Sequence, residues 1–466
     1  LHYPLRRQRQ MCIRDRNMNR PTSLLIIAFL WLMSTTPVWA ARQVTLYEAL
    51  SATLLERPMV QASAADVAAA AAGLQEQSSR YLPRLTLSER FVRTDEPGGS
   101  LFISLNQKRL KLTQDADDYN DPPARSDFET RLTLSQPLFD PDLKFDRERA
   151  KLKWAAASAL DERRQEDAVL ATLQAYLAVQ QGHARLGWAE QSLEETEELV
   201  VMAREREKAG TGLRADTLRS EVLRNDARRQ LLIARNALLS AQRRLALAIG
   251  RADGEVDIAE PALVDGLPLP DAGASLQRGD LTALTKAVAG AEIAARQVKA
   301  TYLPRVGLQA SYVRHEQDLS FSENNEAWSV SAGLEWLLFD AGQRSSALAG
   351  ARARQRALEF HRSEENRQAR FAVAEALQQS AEAVAQLELA RSSLAAAEAG
   401  RDLTSPRYAA GLASLSDLLA VQTELARVRN ELAAAEINLL STRANVYYCL
   451  LYTSDAADEE DSVDLG

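Results

Sequence analysis

The sequence predicts a mainly α-helical fold with a small β part, written twice in one chain of 466 residues. Three observations carry this. Landmarks recur in the same order: Tyr81-Leu82-Pro83-Arg84 returns as Tyr302-Leu303-Pro304-Arg305, Leu138-Phe139-Asp140 as Leu338-Phe339-Asp340, and Ala209-Gly210 with Asp216 as Ala410-Gly411 with Asp417. Three landmarks repeated in one order, offset by 200 to 221 residues, mark an internal duplication. Residues 142–208 lack proline and hold only Gly182 and Gly187, enough helix to extend about 100 Å at 1.5 Å per residue. Four shorter segments alternate apolar and polar residues with the period of a half-buried strand.

Both ends read as something other than the protein itself. Arg6–Asp15 and Cys449–Asp458 can be encoded by opposite strands of one DNA stretch that resembles a transposase-type sequencing-library adapter, so 1–16 and 449–466 are set aside. Residues 1–16 carry five Arg and one Asp and 449–466 carry six acids, so the net charge of −8 becomes about −6 without them. Both cysteines go too, and redox compartment is left undetermined. Residues 17–40 have Arg20, an apolar run from Leu24 to Met33, and small residues ending Val38-Trp39-Ala40, the layout of a secretory signal peptide. Nothing later approaches 18 consecutive apolar residues, so an exported chain of this kind enters a membrane only as a barrel.

The first repeat spans 41–249. Residues 45–80, rich in alanine, predict one helix of about 50 Å closed by Pro83. A strand pair follows at 84–93 and 129–139, with Leu85, Leu87 and Phe91, then Leu132, Leu134 and Leu138, on one face. The hairpin 142–249 sends one long helix out and a half-length helix, 213–249, back; its seam is Leu231, Ala234, Leu238, Ala241, Leu245 and Ala248. Two half-length helices, 45–80 and 213–249, are expected to stack end to end along the long one. Residues 250–280, with Pro261, Pro268 and Pro270, form the linker between copies.

The second repeat, 281–448, repeats this order. Its strand pair, 305–314 and 328–339, sets Val306, Leu308, Ala310 and Tyr312 against Val330, Ala332, Leu334, Trp336 and Leu338, with Gln309, Ser311, Ser329, Ser331 and Glu335 on the other side. Tyr312, Trp328 and Trp336 are candidate aromatics at the lipid interface. The hairpin 342–448 has an outgoing helix to 405, where Pro406 is expected to kink it, and a returning seam of Leu418, Val421, Leu425, Val428, Leu432, Ala435 and Leu439. Four strands cannot close a membrane barrel, whose smallest forms have about eight. Two chains would give eight strands and a filled interior; three would give twelve and room for a lumen.

The duplicated layout, its Tyr-Leu-Pro-Arg strand starts, its Leu-Phe-Asp strand ends and the turns Ala209–Asp216 and Ala410–Asp417 resemble the TolC-like outer-membrane efflux proteins over nearly all of 41–448. The resemblance implies a homotrimer whose twelve strands form one barrel in the outer membrane of a Gram-negative bacterium, continued by a helical tunnel through the periplasm. It implies a periplasmic adaptor protein and an inner-membrane pump of RND, ABC or MFS type as partners. The turns Gly210, Thr211, Gly212 and Leu213, and Gly411, Leu412 and Ala413, match the tip where adaptor hairpins dock. Asp417 matches a carboxylate ring at the periplasmic gate, and Asp216 is expected to help latch neighbouring hairpins. The second acid of that gate is Ala420 here, which predicts weaker cation selectivity.

The bland readings of the same residues are helix caps for the glycines and first-turn acids favoured by the helix dipole for the aspartates. No catalytic residue, cofactor or metal site is expected. His183, His315 and His361 lie apart from each other in sequence, Gly210-Thr211-Gly212 lacks the Lys-Ser/Thr of a phosphate loop, and no Gly-x-Ser-x-Gly occurs. Arginines interleaved with glutamates read as solvated faces, not a nucleic-acid surface. The expected function is a passive export conduit for efflux or type I secretion. The rivals are a periplasmic adaptor, which needs one hairpin rather than two, and an exported coiled-coil scaffold, which needs no alternating strands.

Overall fold

The computed structural model describes residues 42–111, 117–251, 254–262, 278–318 and 325–450. The adapter-like segment 1–16, the segment 17–40 read as a signal peptide, most of the linker and residues 451–466 lie outside the described residues. In chain order the elements are β1 (Arg42–Val44), α1 (Leu46–Glu56), α2 (Pro58–Ser79), β2 (Arg84–Thr94), α3 (Pro97–Asn106), α4 (Asp117–Asn120), β3 (Arg125–Phe139), α5 (Pro141–Lys208), α6 (Arg214–Ala248), β4 (Val256–Ile258), α7 (Gly279–Ala300), β5 (Arg305–Glu316), β6 (Glu326–Glu335), α8 (Gln343–Ala409) and α9 (Leu415–Leu450).

The expected single helix over 45–80 is two. Pro58 forces Arg57 out of the helical region, to φ −69° and ψ 121°, and the chain restarts at once with proline in the first turn of α2. Thr45 and Glu48 cap α1 reciprocally. Both halves pack along α5, as does α6, but the end of α6 meets the break at Glu56–Arg57, so the stack forms there and not at the end of the 45–80 stretch as expected. The stack meets at Gly250, which has φ +89°; a Cβ there would lie 2.8 Å from the Glu56 carbonyl carbon. Val44, Ala49, Tyr176, Val179, Leu238, Leu245, Ile249 and Val256 form the core of this junction, closed by a two-stranded sheet of β1 with β4, which lies inside the stretch read as linker.

All six seam residues expected on α6 are buried. On α9, Leu418, Leu425, Val428, Ala435 and Leu439 are buried, while Val421 and Leu432 are half-buried. Ala383, Leu387 and Ala390 of α8 meet Ala435 and Leu439. Alanine at the seam lets the helices approach closely, and leucine fills the remaining space. The outgoing helix α8 does not stop at 405. It continues past Pro406 to Ala409, where the Ala410 N–H bonds the Pro406 carbonyl at 2.9 Å.

The four long strands form one antiparallel sheet in the order β2-β3-β5-β6, so the pairs from the two repeats lie side by side. Register puts Leu85 opposite Leu134, Leu87 opposite Leu132, Leu132 opposite Tyr312, Tyr312 opposite Trp328 and Ala310 opposite Val330. Because side chains alternate along each strand, these pairings join the apolar residues of all four strands into one face. The opposite face carries Thr86, Ser88, Thr133, Ser135, Gln309, Ser311, Ser329 and Ser331. The last strand ends at Glu335 rather than at 339. Its partner β5 begins at Arg305, opposite Glu335, directly after Pro304, so no ladder remains for residues 336–339. Among the described residues, no helix is long and apolar enough to cross a membrane.

Candidate functional site

The duplicated motifs correspond to duplicated hydrogen bonding. Asp140 begins α5 by accepting from the Asp142 N–H at 3.0 Å; Asp340 does the equivalent work by accepting from Gly342 and Arg344 N–H at 3.2 and 2.8 Å. The Tyr81 carbonyl accepts from Gln136 at 2.8 Å, and the Tyr302 carbonyl accepts from Trp336 at 3.0 Å. Trp336 therefore tethers the loop after β6 instead of lying in the strand. Tyr312 donates to Glu326 at 2.8 Å beside Trp328, which is 77% exposed.

The two hairpin turns are built alike. Gly210 has φ +73° and Gly411 φ +78°. The N–H groups of Gly210 and Thr211 bond the carbonyls of Glu207 and Arg206 at 3.1 and 3.0 Å; those of Gly411 and Leu412 bond Tyr408 and Arg407 at 3.0 and 2.7 Å. This double bond pattern satisfies the last carbonyls of a helix and requires a left-handed residue, which glycine supplies. The returning helices differ. Ser414 and Asp417 cap α9 reciprocally, with the Asp417 N–H on the Ser414 hydroxyl at 3.2 Å and the Asp417 carboxylate on the Ser414 N–H at 3.1 Å. Leu213 occupies the corresponding place before α6 and offers no side-chain cap. Asp417 is exposed, and the Ser414 hydroxyl and N–H hold its carboxyl below the usual carboxylate range.

The contact that joins the two tips is one the sequence did not single out. Arg206 of α5 donates to the Tyr408 carbonyl of α8, and its guanidinium lies 4.7 Å from the Tyr408 ring centre. Burial raises the Tyr408 hydroxyl above its ordinary value. Leu199, Tyr408, Leu415 and Leu418 pack beneath this contact. Higher on the hairpins, Arg429 of α9 is 2% exposed and donates to Glu195 of α5 at 3.2 Å, while Arg401 of α8 reaches the same carboxylate at 3.2 Å. The Arg429 guanidinium also lies 5.0 Å from the Trp188 ring centre. Arg429 is thus an exception to the solvated faces expected of arginines interleaved with glutamates, and its partner lies 234 residues away in sequence.

The histidines are not isolated from acids. His183 bonds Asp257 at 2.6 Å, joining α5 to β4. His315 bonds Asp127 at 2.8 Å near the outer end of the sheet, and with Glu129 these form a cluster whose ligand-type atoms lie within 4.8 Å of one another. Their acceptors are already engaged: Asp127 by His315 and Gln107, Glu129 by Arg90 and Arg131. Two guanidinium groups beside Glu129 compensate its charge and would repel a cation, so the geometry describes a closed polar network.

Long helical hairpins, duplicated and joined to a four-stranded antiparallel sheet with one apolar face, are the architecture of outer-membrane channel proteins. Residues 49–251 and 273–450 match the family described as "Outer membrane efflux protein", and the chain belongs to that family. It is 25% identical over 397 residues to the alkaline protease secretion protein AprF of Pseudomonas aeruginosa, covering 81% of this chain and 80% of AprF. Its fold matches CusC, solved in work on its folding and transmembrane channel formation, with TM-score 0.76 and 19% identity over 88% of this chain and 94% of that one. It also matches the outer membrane protein VceC of Vibrio cholerae with TM-score 0.71 and 17% identity, over 87% and 95%. The outer membrane is the location this family defines.

Proposed function

We propose that three copies of this chain form a passive export channel, with twelve strands closing a barrel in the outer membrane and the hairpins forming a tunnel beneath it. The observation that carries this reading is the sheet itself: four strands, one continuous apolar face, and edges at β2 and β6 that pair with no further strand among the described residues. An open edge in hydrocarbon leaves unsatisfied backbone groups at several kcal/mol each, so the edges must meet those of other copies. Alternating direction is preserved when β6 of one copy pairs with β2 of the next.

In this assembly the tips at Gly210–Leu213 and Gly411–Ala413 receive a periplasmic adaptor protein, and an inner-membrane pump supplies the energy. Asp417 contributes a carboxylate from each subunit to the gate, attracting cations as a ring. The likeness to AprF, a secretion protein, favours a type I secretion partner over a drug pump. The test is twofold. The purified protein is expected to run as a trimer that heating dissociates, from the outer-membrane fraction, and to conduct ions in a planar bilayer. A monomer in the soluble fraction would overturn the reading.

A further inference from the structure

The loop between β2 and β3 contains a helix that is inside out. The side of α3 turned toward the protein is mostly polar: Ser100, Ser104 and Gln107 are 1%, 4% and 4% exposed, with only Ile103 among them apolar. The side turned away is Leu101, Phe102 and Leu105, with Phe102 63% and Leu105 52% exposed. A helix lying on a protein surface in water buries its apolar stripe and exposes its polar one. The reversed arrangement calls for a partner covering Phe102 and Leu105.

The position of α3 identifies the partner. Gln107, at the end of the helix, donates to the Asp127 carboxylate at 2.9 Å and to the Ser126 carbonyl at 2.8 Å. Asp127 belongs to the polar face of β3, two residues before Glu129, and is held there by His315 of β5. The helix is thus fastened on the side away from the lipid-type face, at the end of the strands remote from the helical hairpins. Twelve strands about 4.8 Å apart and tilted by about 40° enclose about 24 Å between opposite backbones. Three helices about 10 Å wide fill a mouth of that size.

We propose that α3 is an outer plug: its Leu101–Phe102–Leu105 face meets the same face of the two other copies at the channel axis and closes the far end with an apolar constriction. This inference rests on the three-copy channel of the preceding section. An apolar ring resists ions by excluding water, which makes this end of the pore chemically unlike the carboxylate gate at the other. The Gln107–Asp127–His315 contacts are the fastening that holds the plug against the wall.

The test is disulfide trapping in membranes, in the cysteine-free background left once 1–16 and 449–466 are set aside. Phe102→Cys and Leu105→Cys are each expected to move most of the monomer band to a covalent dimer on a non-reducing gel after oxidation, while Leu87→Cys, on the apolar sheet face, gives no dimer. Absence of dimer at both 102 and 105, in a sample that still shows the heat-dissociated trimer, overturns the plug and leaves the channel intact. Labelling of the Phe102→Cys variant by a lipid-dissolved maleimide without any dimer overturns it too, by placing the helix in the bilayer. Loss of the trimer in the background protein overturns the channel reading itself.

Discussion

At the scale of single residues, the glycines separate into two kinds. Gly210 has positive φ but open space where a Cβ would sit, so Gly210→Ala costs only the left-handed strain of about 1 kcal/mol. Gly250 combines positive φ with a carbonyl carbon 2.8 Å from the Cβ position, so Gly250→Ala adds a backbone clash and is expected to cost about 1–3 kcal/mol or more. Thermal unfolding of the two variants checks the order. Asp417 has two roles that substitution can separate. Asp417→Asn keeps an oxygen for the Ser414 N–H but removes the charge, so cation selectivity in a planar bilayer should fall while helicity stays. Ala420→Asp should raise selectivity by restoring a second ring. A ratio of cation to anion permeability that neither change moves would count against the gate.

At the scale of elements, the joints between the two repeats carry the less obvious energetics. Glu195 serves Arg429 and Arg401 together, and Arg429 is nearly sealed from water. Glu195→Ala leaves that guanidinium buried without its anion, at a cost of about 3 kcal/mol. A changed emission from Trp188 and a lowered melting temperature would report it. The β1–β4 sheet depends on pH in a defined direction. Burial raises the Asp257 carboxyl, but His183, the Ile258 N–H and Gln242 outweigh it and hold the group below its ordinary value. Its stabilising contribution is present above the unfolded value of about 3.9 and is lost as pH falls through the lower folded value. Below about pH 4 the wild type should therefore lose melting temperature more steeply than Asp257→Asn.

Much of this was legible in the residues. Proline-free runs announced α5 and α8, the seam leucines and alanines announced the hairpins, and paired glycines announced the turns. What escaped had physical causes. Alternation reports which face a side chain takes, not where the ladder ends, so β6 was read through to Phe339 although its partner begins at Arg305. Helix propensity on both sides of Pro58 concealed the break at Arg57. Arg206–Tyr408 and Arg429–Glu195 join residues more than 200 apart, and charge patterning along one helix contains no trace of them. The polar network at Asp127 escaped because its members come from separate strands and a loop.

At the scale of the whole molecule, the sheet order sets how damage spreads. Within one copy the long strands of the first repeat, β2 and β3, are joined to the second through β3 and β5, whereas β6 is exposed along its full length. In the proposed ring that strand is a shared boundary, so a subunit unable to offer it spoils the two healthy neighbours as well. A proline placed mid-strand, Ser331→Pro, should act in this way. Co-expressed at equal level with the wild type, it would leave only about one ring in eight free of a defective member. The allele should therefore be dominant, with export falling well below the half expected of independent monomers.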